Sequence, residues 1–358
     1  MVIFRFDEVK EMRKLEEIEI LRAIACLAVV MIHITAFVIF SGNVGKIPAL
    51  VLSFINAFSV FAVPAFLVVS SYTLTYQYQD RKLELGRFYQ KRFSRVVVPY
   101  IVWTCIYYGI FLILNTAQLS FPLLLKNLVF GDMVYHLYFV VLILQFYLLF
   151  FAFRYLWSRF NKLVMPLVYL VVNILFMRYA NFMYIDRVFL RYIFFFALGG
   201  YMAYHREAVL NFLNQRKIRR LLIIGYLLLG AWAGIRYYQK FVLQMSYDTF
   251  SENMYWLFYC TVALLCYWSI SQYLALRTPA TVKRVFIRVS DASYYIYLAH
   301  PLALYLAQII LGRIPGASPG FKLILTLALV LGGVFPLSIF YQEHKGYFKK
   351  KLLSILGF

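Results

Sequence analysis

The first apolar segment of the chain carries two residues that could do chemistry inside a membrane. It runs from Leu21 to Phe40, with Arg22 near its start and His33 among apolar side chains. The two are eleven positions apart, which on a helix is three turns plus ~20°, so both side chains lie on nearly the same face. At ~1.5 Å per residue, His33 is ~16 Å further along the axis, near the middle of a bilayer.

An imidazole at that depth is suited to proton transfer, because histidine can take and give a proton at physiological pH. Ionisable side chains within membrane spans are costly and are therefore functional candidates. A structural interpretation fits the same pair: Arg22 would anchor the inner interface, and His33 would bond to a neighbouring helix.

A basic loop before the third apolar run is a candidate phosphate site. Lys91, Arg92 and Arg95 precede the apolar Val96 and Pro99. Residues three apart on a short helix project to one side, and guanidinium forks suit phosphates such as those of coenzyme A. A cluster that only sets membrane orientation has the same sequence pattern.

A late apolar run carries a polar stripe. Ser293, Tyr297 and His300 are spaced i, i+4, i+7 and so share a helical face, and Pro301 is expected to kink the helix and loosen nearby backbone bonds. These side chains could hydrogen-bond an oxyanion or position an acceptor, or they could form a structural stripe. His136, which opens the fourth run, could bind an acceptor, although its position favours an ordinary interfacial histidine.

These residues need a membrane scaffold, and the composition predicts one. Apolar residues make up 63% of the chain, charged residues 14%, and the mean hydropathy is +0.75. We predict an all-α, polytopic membrane helical bundle of about ten transmembrane helices. The runs are 20–40, 49–75, 96–115, 134–153, 163–180, 188–204, 221–236, 253–274, 290–311 and 321–342.

The basic residues predict orientation and exclude other partners. Of the 36 Lys and Arg residues, 27 fall in the segments that are inside if the N-terminus is cytoplasmic, which places both termini in the cytoplasm. The net charge of +21 is spread over short loops, so it does not indicate nucleic-acid binding. No His or Cys spacing predicts a metal site. The outer segment 236–252 is rich in aromatic and polar residues that could contact sugars or anchor at the interface.

The order of these features resembles the integral-membrane acyltransferase-3 family. The resemblance rests on Arg22 and His33 in the first run, on Arg92 and Arg95 before the third, on His136-Leu-Tyr-Phe139, and on Ser293-Tyr-Tyr-Ile-Tyr-Leu-Ala-His-Pro301. It implies an acyl-CoA-dependent O-acyltransferase in the bacterial plasma membrane. The acyl group, acetyl or succinyl, would pass from cytoplasmic acyl-CoA to a hydroxyl of a cell-surface polysaccharide or other envelope glycan.

The resemblance also implies roles for individual residues. His33 would be the catalytic histidine, and Arg22 would lie in the same channel. Arg92 and Arg95, with Lys91, would hold the nucleotide end of the donor, whose thioester would reach His33 between the helices. The expected acceptor-binding residues are His136, Ser293, Tyr297 and His300. No metal cofactor is implied. The expected domains are a cytoplasmic segment 1–19, the acyltransferase-like domain 20–342, and a basic cytoplasmic tail 343–358.

Within that family, the chain is similar to membrane proteins encoded with poly-N-acetylglucosamine exopolysaccharide synthesis. The similarity lies in Leu137–Tyr147, Phe194–Tyr204 and Leu210–Leu213, and it implies a polysaccharide synthase as a partner in biofilm formation. Where many members have a glutamate pair, this chain has Leu142-Ile-Leu before Gln145, so a carboxylate that could orient His33 is missing. Two other classes remain: an exporter of the exopolysaccharide, and a sensor or scaffold with an inactive site.

Overall fold

The protein is a bundle of helices with no strand in the part that the structure describes. The computed structural model describes residues 15–42 and 44–355, and describes side chains up to residue 347. The helices are α1 (Glu16–Phe40), α2 (Lys46–Ser59), α3 (Ala62–Tyr78), α4 (Leu85–Arg92), α5 (Val98–Ile113), α6 (Phe121–Phe130), α7 (Tyr138–Arg159), α8 (Met165–Tyr179), α9 (Ile193–Tyr204), α10 (Arg206–Asn214), α11 (Arg216–Phe241), α12 (Thr249–Arg277), α13 (Ala280–Gly312), α14 (Pro319–Leu329) and α15 (Phe335–Ile355).

Each of the ten predicted apolar runs coincides with a helix or a joined pair of helices. Eight helical stretches within residues 15–42 and 44–355 are long and apolar enough to cross a membrane. They include three joined pairs: α2 with α3, α4 with α5, and α14 with α15. The other two runs correspond to the shorter apolar helices Met165–Tyr179 and Phe189–Tyr204. The prediction of a polytopic all-α bundle is confirmed. Most of the predicted N-terminal segment, residues 1–14, lies outside the described residues.

Two crossings contain a π-helical turn, and a proline explains each. The turns are Phe93–Val97, between α4 and α5, and Val330–Val334, between α14 and α15. Proline has no N–H, so Pro99 and Pro336 each leave the carbonyl four residues earlier without its α-helical donor. Those carbonyls belong to the central residue of each turn, where the chain shifts to i→i+5 hydrogen bonds. Arg95 therefore lies on a local bulge and not on a regular helix.

Helix α1 is at the centre of the bundle, packed against α2, α3, α12, α13 and α14. Its first turn carries three glutamates, which suit the positive end of a helix dipole. Glu16 pairs with Lys283 at 2.7 Å, Glu17 with Arg206 at 2.9 Å, and Glu19 with Arg22 at 3.0 Å. These contacts fix the inner end of α1 to the starts of α13 and α10. They therefore fix the rotation of α1 and the direction of the face that carries Arg22 and His33.

Helices α3 and α9 approach each other closely at Gly199. A Cβ atom built there would lie 2.3 Å from the carbonyl oxygen of Val68, a backbone atom that cannot move aside. We expect Gly199→Ala to cost about 1–3 kcal/mol of stability through overpacking, measured as a lower Tm in detergent. Gly109→Ala is the matched control, because nothing lies within 4 Å of its added methyl group. A Gly199→Ala variant as stable as that control would contradict this packing.

An ion pair at the outer surface joins two connections of the bundle. Arg187 donates to Asp132 Oδ1 at 2.8 Å and to the Phe130 carbonyl at 2.6 Å, and the Tyr184 hydroxyl donates to Asp132 Oδ2 at 3.1 Å. The hydrogen bond from Arg187 is the main cause that lowers the pKa of Asp132 below its ordinary value of 3.8.

This ion pair predicts a pH dependence of stability. Because the folded-state pKa of Asp132 is below the unfolded one, its stabilisation is present above about pH 4 and is lost as the pH falls through the folded pKa. We expect Asp132→Asn to lower the Tm at pH 7 and to flatten the Tm profile below pH 4. Parallel profiles for the variant and the wild type would contradict the pairing.

Candidate functional site

Three histidines from distant parts of the chain meet in the outer half of the bundle. The rings of His33 and His300 are stacked, with centroids 5.2 Å apart and planes at 23°. The His136 ring stands edge-on to His300, with centroids also 5.2 Å apart. His33 is seven residues, or ~10 Å, from the outer end of α1. It therefore lies nearer the outer surface than the sequence placed it.

Pro301 fixes the protonated nitrogen of His300. A proline at position 301 cannot donate to the carbonyl of Tyr297, four residues earlier. The freed carbonyl instead lies 2.8 Å from His300 Nδ1. A carbonyl only accepts, so Nδ1 carries the proton and Nε2 of the neutral ring carries a lone pair. Nε2 is buried and has no hydrogen-bond partner among the described residues. Helix α13 continues through Pro301 without a break.

The serine and tyrosine hydroxyls beside the cluster already donate hydrogen bonds to backbone carbonyl oxygens. The Tyr297 hydroxyl donates to the His136 carbonyl, and the Ser293 hydroxyl donates to the Ser290 carbonyl at 2.7 Å. Neither hydroxyl has a second proton, so in this arrangement neither can donate to an oxyanion at the same time. Tyr297 instead holds His136 in place. Tyr135, whose ring centroid is 4.7 Å from that of His33, makes no side-chain hydrogen bond among the described residues and lines a cavity.

His136 is buried, and its interpretation as an ordinary interfacial residue is wrong. It is 1% exposed, and its ring also contacts Tyr107 and Tyr297, with centroids at 6.0 and 5.0 Å. It lies in the turn before α7, which brings it beneath the outer surface. The signal that sequence reasoning undervalued is the neighbouring Tyr135, since both residues of that dipeptide join the cluster.

His33 lines two cavities, both of which extend to outer loops. The first, about 760 Å³, lies between α1, α13 and the connection to α14, and is also lined by Tyr135, Tyr305 and Lys322. The second, about 380 Å³, reaches Arg191, Lys240, Glu252 and Trp256 and is also lined by His136 and Tyr297. His33 is therefore accessible from the outer side and does not face lipid.

The remaining candidates lie at the inner side. Arg22 donates to Glu19 and, at 3.3 Å, to Ser290 of α13. The Arg92 guanidinium stacks on Phe88 at 4.2 Å from the ring centroid, whereas Lys91 and Arg95 are exposed. None of Lys91, Arg92 and Arg95 forms a salt bridge with a carboxylate among the described side chains. They are a group of mutually repelling cations that an anionic ligand would neutralise.

No group of three His, Cys, Asp or Glu side chains within residues 15–42 and 44–347 has the geometry to hold a metal ion. The stacked arrangement of His33 and His300 gives the physical reason. Parallel rings present their faces to each other, whereas metal ligands must aim their nitrogens at one point.

Sequence comparison identifies the family. A family model described as "Acyltransferase domain" matches residues 15–342, nearly the whole chain. This chain belongs to the acyltransferase-3 family. With eight crossing-length apolar helices, it is a multi-pass protein of the bacterial membrane.

Relatives of this acyltransferase-3 protein are named for export and not for acyl transfer. This chain is 27% identical over 309 residues to a Staphylococcus aureus (strain MRSA252) protein named "Probable poly-beta-1,6-N-acetyl-D-glucosamine export protein". The alignment covers 80% of this chain and 82% of the relative. A Staphylococcus epidermidis protein of the same name is 25% identical over 307 residues, which cover 80% of this chain and 81% of that relative. No solved structure matches the chain.

The glutamate that many acyltransferase-3 members carry in the fourth span has no substitute at His33. Gln145 points elsewhere: its amide donates to the Arg187 carbonyl at 2.7 Å and accepts from the Phe189 N–H at 3.1 Å, which holds the outer 185–192 segment. His33 makes no side-chain hydrogen bond among the described residues. In this acyltransferase-3 protein the ring is oriented by packing against His300 and Tyr135.

The passage that the sequence suggested from the inner arginines to His33 is not open in this arrangement. Neither cavity lined by His33 includes Arg92 or Arg95. Towards the inner side, α1 and α13 are in contact where buried Cys26 Sγ lies 3.9 Å from the Ser293 carbonyl. In the part of this acyltransferase-3 chain that the structure describes, the two cavities at His33 open outward, and neither joins His33 to the inner arginines. Sequence reasoning also missed Glu19 and Ser290, the partners that hold Arg22 at the inner end.

Proposed function

We propose that the protein transfers an acyl group, acetyl or succinyl, from cytoplasmic acyl-CoA to a hydroxyl of an envelope glycan. The observation that carries the proposal is the cluster of His33, His300 and His136 at the inner end of two outward-facing cavities. The accessible imidazole of His33, held by its stacked neighbour His300, is suited to removing a proton from a hydroxyl.

The proposed reaction uses His33 as the base. Its free nitrogen removes the proton of the glycan hydroxyl, the oxygen attacks the thioester carbonyl, and the C–S bond breaks. The departing coenzyme A sulfur then takes the proton from the imidazolium. Alternatively, the imidazole takes the acyl group first and passes it to the glycan oxygen, with the same products. The geometry is compatible with both routes.

Neighbouring groups have positioning roles in this proposal. His300 is fully buried and lines neither cavity, so it would position the acceptor site through its stacked contact with His33, whereas His136 and Tyr297 line the second cavity directly. The Tyr135 hydroxyl is the available donor for the developing oxyanion, because those of Tyr297 and Ser293 are occupied.

Donor binding is proposed at the inner side. Arg92 and Arg95, with Lys91, would bind the phosphates of acyl-CoA, and Arg22 would add positive potential. Because α1 and α13 are in contact at Cys26 and Ser293, the pantetheine arm requires these helices to separate. We infer that donor binding opens this contact and that the acceptor enters from the outer cavities.

The second candidate function is export of an exopolysaccharide such as poly-N-acetylglucosamine, favoured by the names of the relatives. A polysaccharide synthase would be the partner in either case. Purified protein incubated with acetyl- or succinyl-CoA and a glycan acceptor separates the two. A transferase releases coenzyme A thiol and adds the acyl mass to the glycan. An exporter releases no thiol, and that result would reject the proposal.

A further inference from the structure

We propose that a groove on the lipid-facing side of the bundle binds one anionic phospholipid of the inner leaflet. The groove, about 640 Å³, lies between α5, α13 and the α14–α15 crossing. Its lining includes Val102, Trp103, Tyr295, Ala299, Leu306 and Tyr341.

The shape and lining of the groove fit an acyl chain. Nearly every lining side chain is apolar, and the small residues Ala299 and Ala303 leave depth along α13. Val102, Leu306 and Leu337 are 50, 47 and 70% exposed, so the groove opens sideways to the hydrocarbon. From Tyr295 to Leu306 it runs ~16 Å along the helix, which matches the ~15 Å of one leaflet.

The inner end of the groove selects for a negative head group. Tyr295 and Tyr341 close it, with ring centroids 4.8 Å apart at 74°. Lys345 lies above Tyr295, with Nζ 5.9 Å from the ring centroid, and it interacts electrostatically with Arg95. Asp291 is an acidic neighbour of Lys345, and Lys91 adds a further cation beside Arg95. The surplus is positive at the level where lipid phosphates lie.

The groove is separate from the histidine site. Its residues on α13 are Tyr295, Ala299, Leu302, Ala303 and Leu306, whereas His300 is not part of its lining. Buried Tyr107 closes the space between α5 and α13 by donating to the Leu298 carbonyl at 2.7 Å. The inference therefore does not rest on acyl transfer. Arg95 also belongs to the proposed donor site, so the test uses Lys345.

Two neighbouring glycines offer a matched pair of variants. Gly333 lines the groove and Gly332 does not, although both lie in the same π-helical turn. Nothing lies within 4 Å of a Cβ built at either position, so a side chain can start from each of the two glycines without a clash. Gly333→Leu fills the groove, and Gly332→Leu changes the same turn without filling it.

The test is native mass spectrometry of the delipidated full chain, titrated with phosphatidylglycerol or phosphatidylcholine of identical acyl chains. We expect one phosphatidylglycerol to bind more tightly than phosphatidylcholine, and Lys345→Gln to weaken it about fivefold. Gly333→Leu should lose this binding, and Gly332→Leu should keep it. Equal binding of the two lipids, or equal binding by the two glycine variants, would overturn the proposal.

A second measurement detects the lipid in the groove of the wild-type protein. Phosphatidylglycerol brominated on its chains should quench the fluorescence of Trp103, which lines the groove. The quenched part is assigned by comparison with Trp103→Phe. Saturable quenching that the unbrominated lipid reverses supports the site. Quenching that rises linearly with lipid would indicate general bilayer contact and reject it.

Discussion

Replacing His33 by alanine should lower the rate of acyl transfer by about 10²- to 10⁴-fold, the usual contribution of a positioned general base. The imidazole is the only ring that lines both outer cavities and lies in the three-histidine cluster with an accessible edge. The fold should survive, because His33 makes no side-chain hydrogen bond among the described residues. The measurement is the initial rate of acyl addition to the glycan by purified protein.

His344→Ala is the matched control for this substitution. His344 is exposed on α15, far along the chain from the cluster, and its ring bonds only to the Phe340 carbonyl at 2.9 Å. It should retain the wild-type rate. Gel filtration and Tm in detergent confirm that both variants are folded. A folded His33→Ala variant that transfers acyl groups at the rate of the control would exclude His33 as the base.

Removing both inner guanidinium groups, as Arg92→Ala with Arg95→Ala, should raise the KM for acyl-CoA by about 10- to 100-fold while kcat changes little. A hydrogen bond at a solvent-screened position contributes about 0.7–1.4 kcal/mol net, and the loss of two such partners by the donor phosphates corresponds to about 10- to 100-fold. The same variant should show a weaker dependence of KM on ionic strength, because fewer charges are screened.

Arg87→Ala is the control within the same basic loop. Arg87 lies on α4 like Arg92, but it is already paired with Glu84 at 3.1 Å. Its removal lowers the charge of the loop by one unit, half the change in the double variant, without removing a free cation. If Arg87→Ala and the double variant raise KM equally, the loop acts only through its overall charge and the proposed docking of phosphates fails.

The features set by apolar patterning were predictable from the sequence. The ten runs coincide with helices or joined helices, eight of them of crossing length among the described residues, because each is a long stretch of side chains that water would not solvate. Arg22 and His33 also lie on one face of α1, as their spacing predicted. Arg22 donates to Ser290 and His33 stacks on His300, and both of these partners are on α13. Eleven residues make three turns in any α-helix, so that inference needed no knowledge of the neighbours.

The features set by contacts between distant segments were not predictable. His136 lies in a short turn, where no periodicity indicates which way a side chain points. The stripe of Ser293, Tyr297 and His300 does share one helix, but the acceptors of the two hydroxyls are backbone carbonyls that only the folded chain brings near. The closed contact between Cys26 and Ser293 depends on how tightly two helices pack.

Three prolines explain local features of the helices and of the histidine site that the spacing of polar residues did not predict. Pro99 and Pro336 account for the two π-helical turns, and Pro301 accounts for the carbonyl that fixes the protonated nitrogen of His300. In each case the missing N–H frees the carbonyl four residues earlier. The rule was available from the sequence. Which group takes up each freed carbonyl required the structure.

The most direct test of acyl transfer across the membrane is a sided assay in sealed proteoliposomes. Protein oriented with its basic loops inward is supplied with radiolabelled acyl-CoA inside and unlabelled glycan outside. Label should appear on the external glycan with the wild-type protein and with His344→Ala, and not with His33→Ala, while coenzyme A thiol accumulates inside. External glycan that stays unlabelled while the wild-type protein is folded and supplied with donor would contradict transfer through His33.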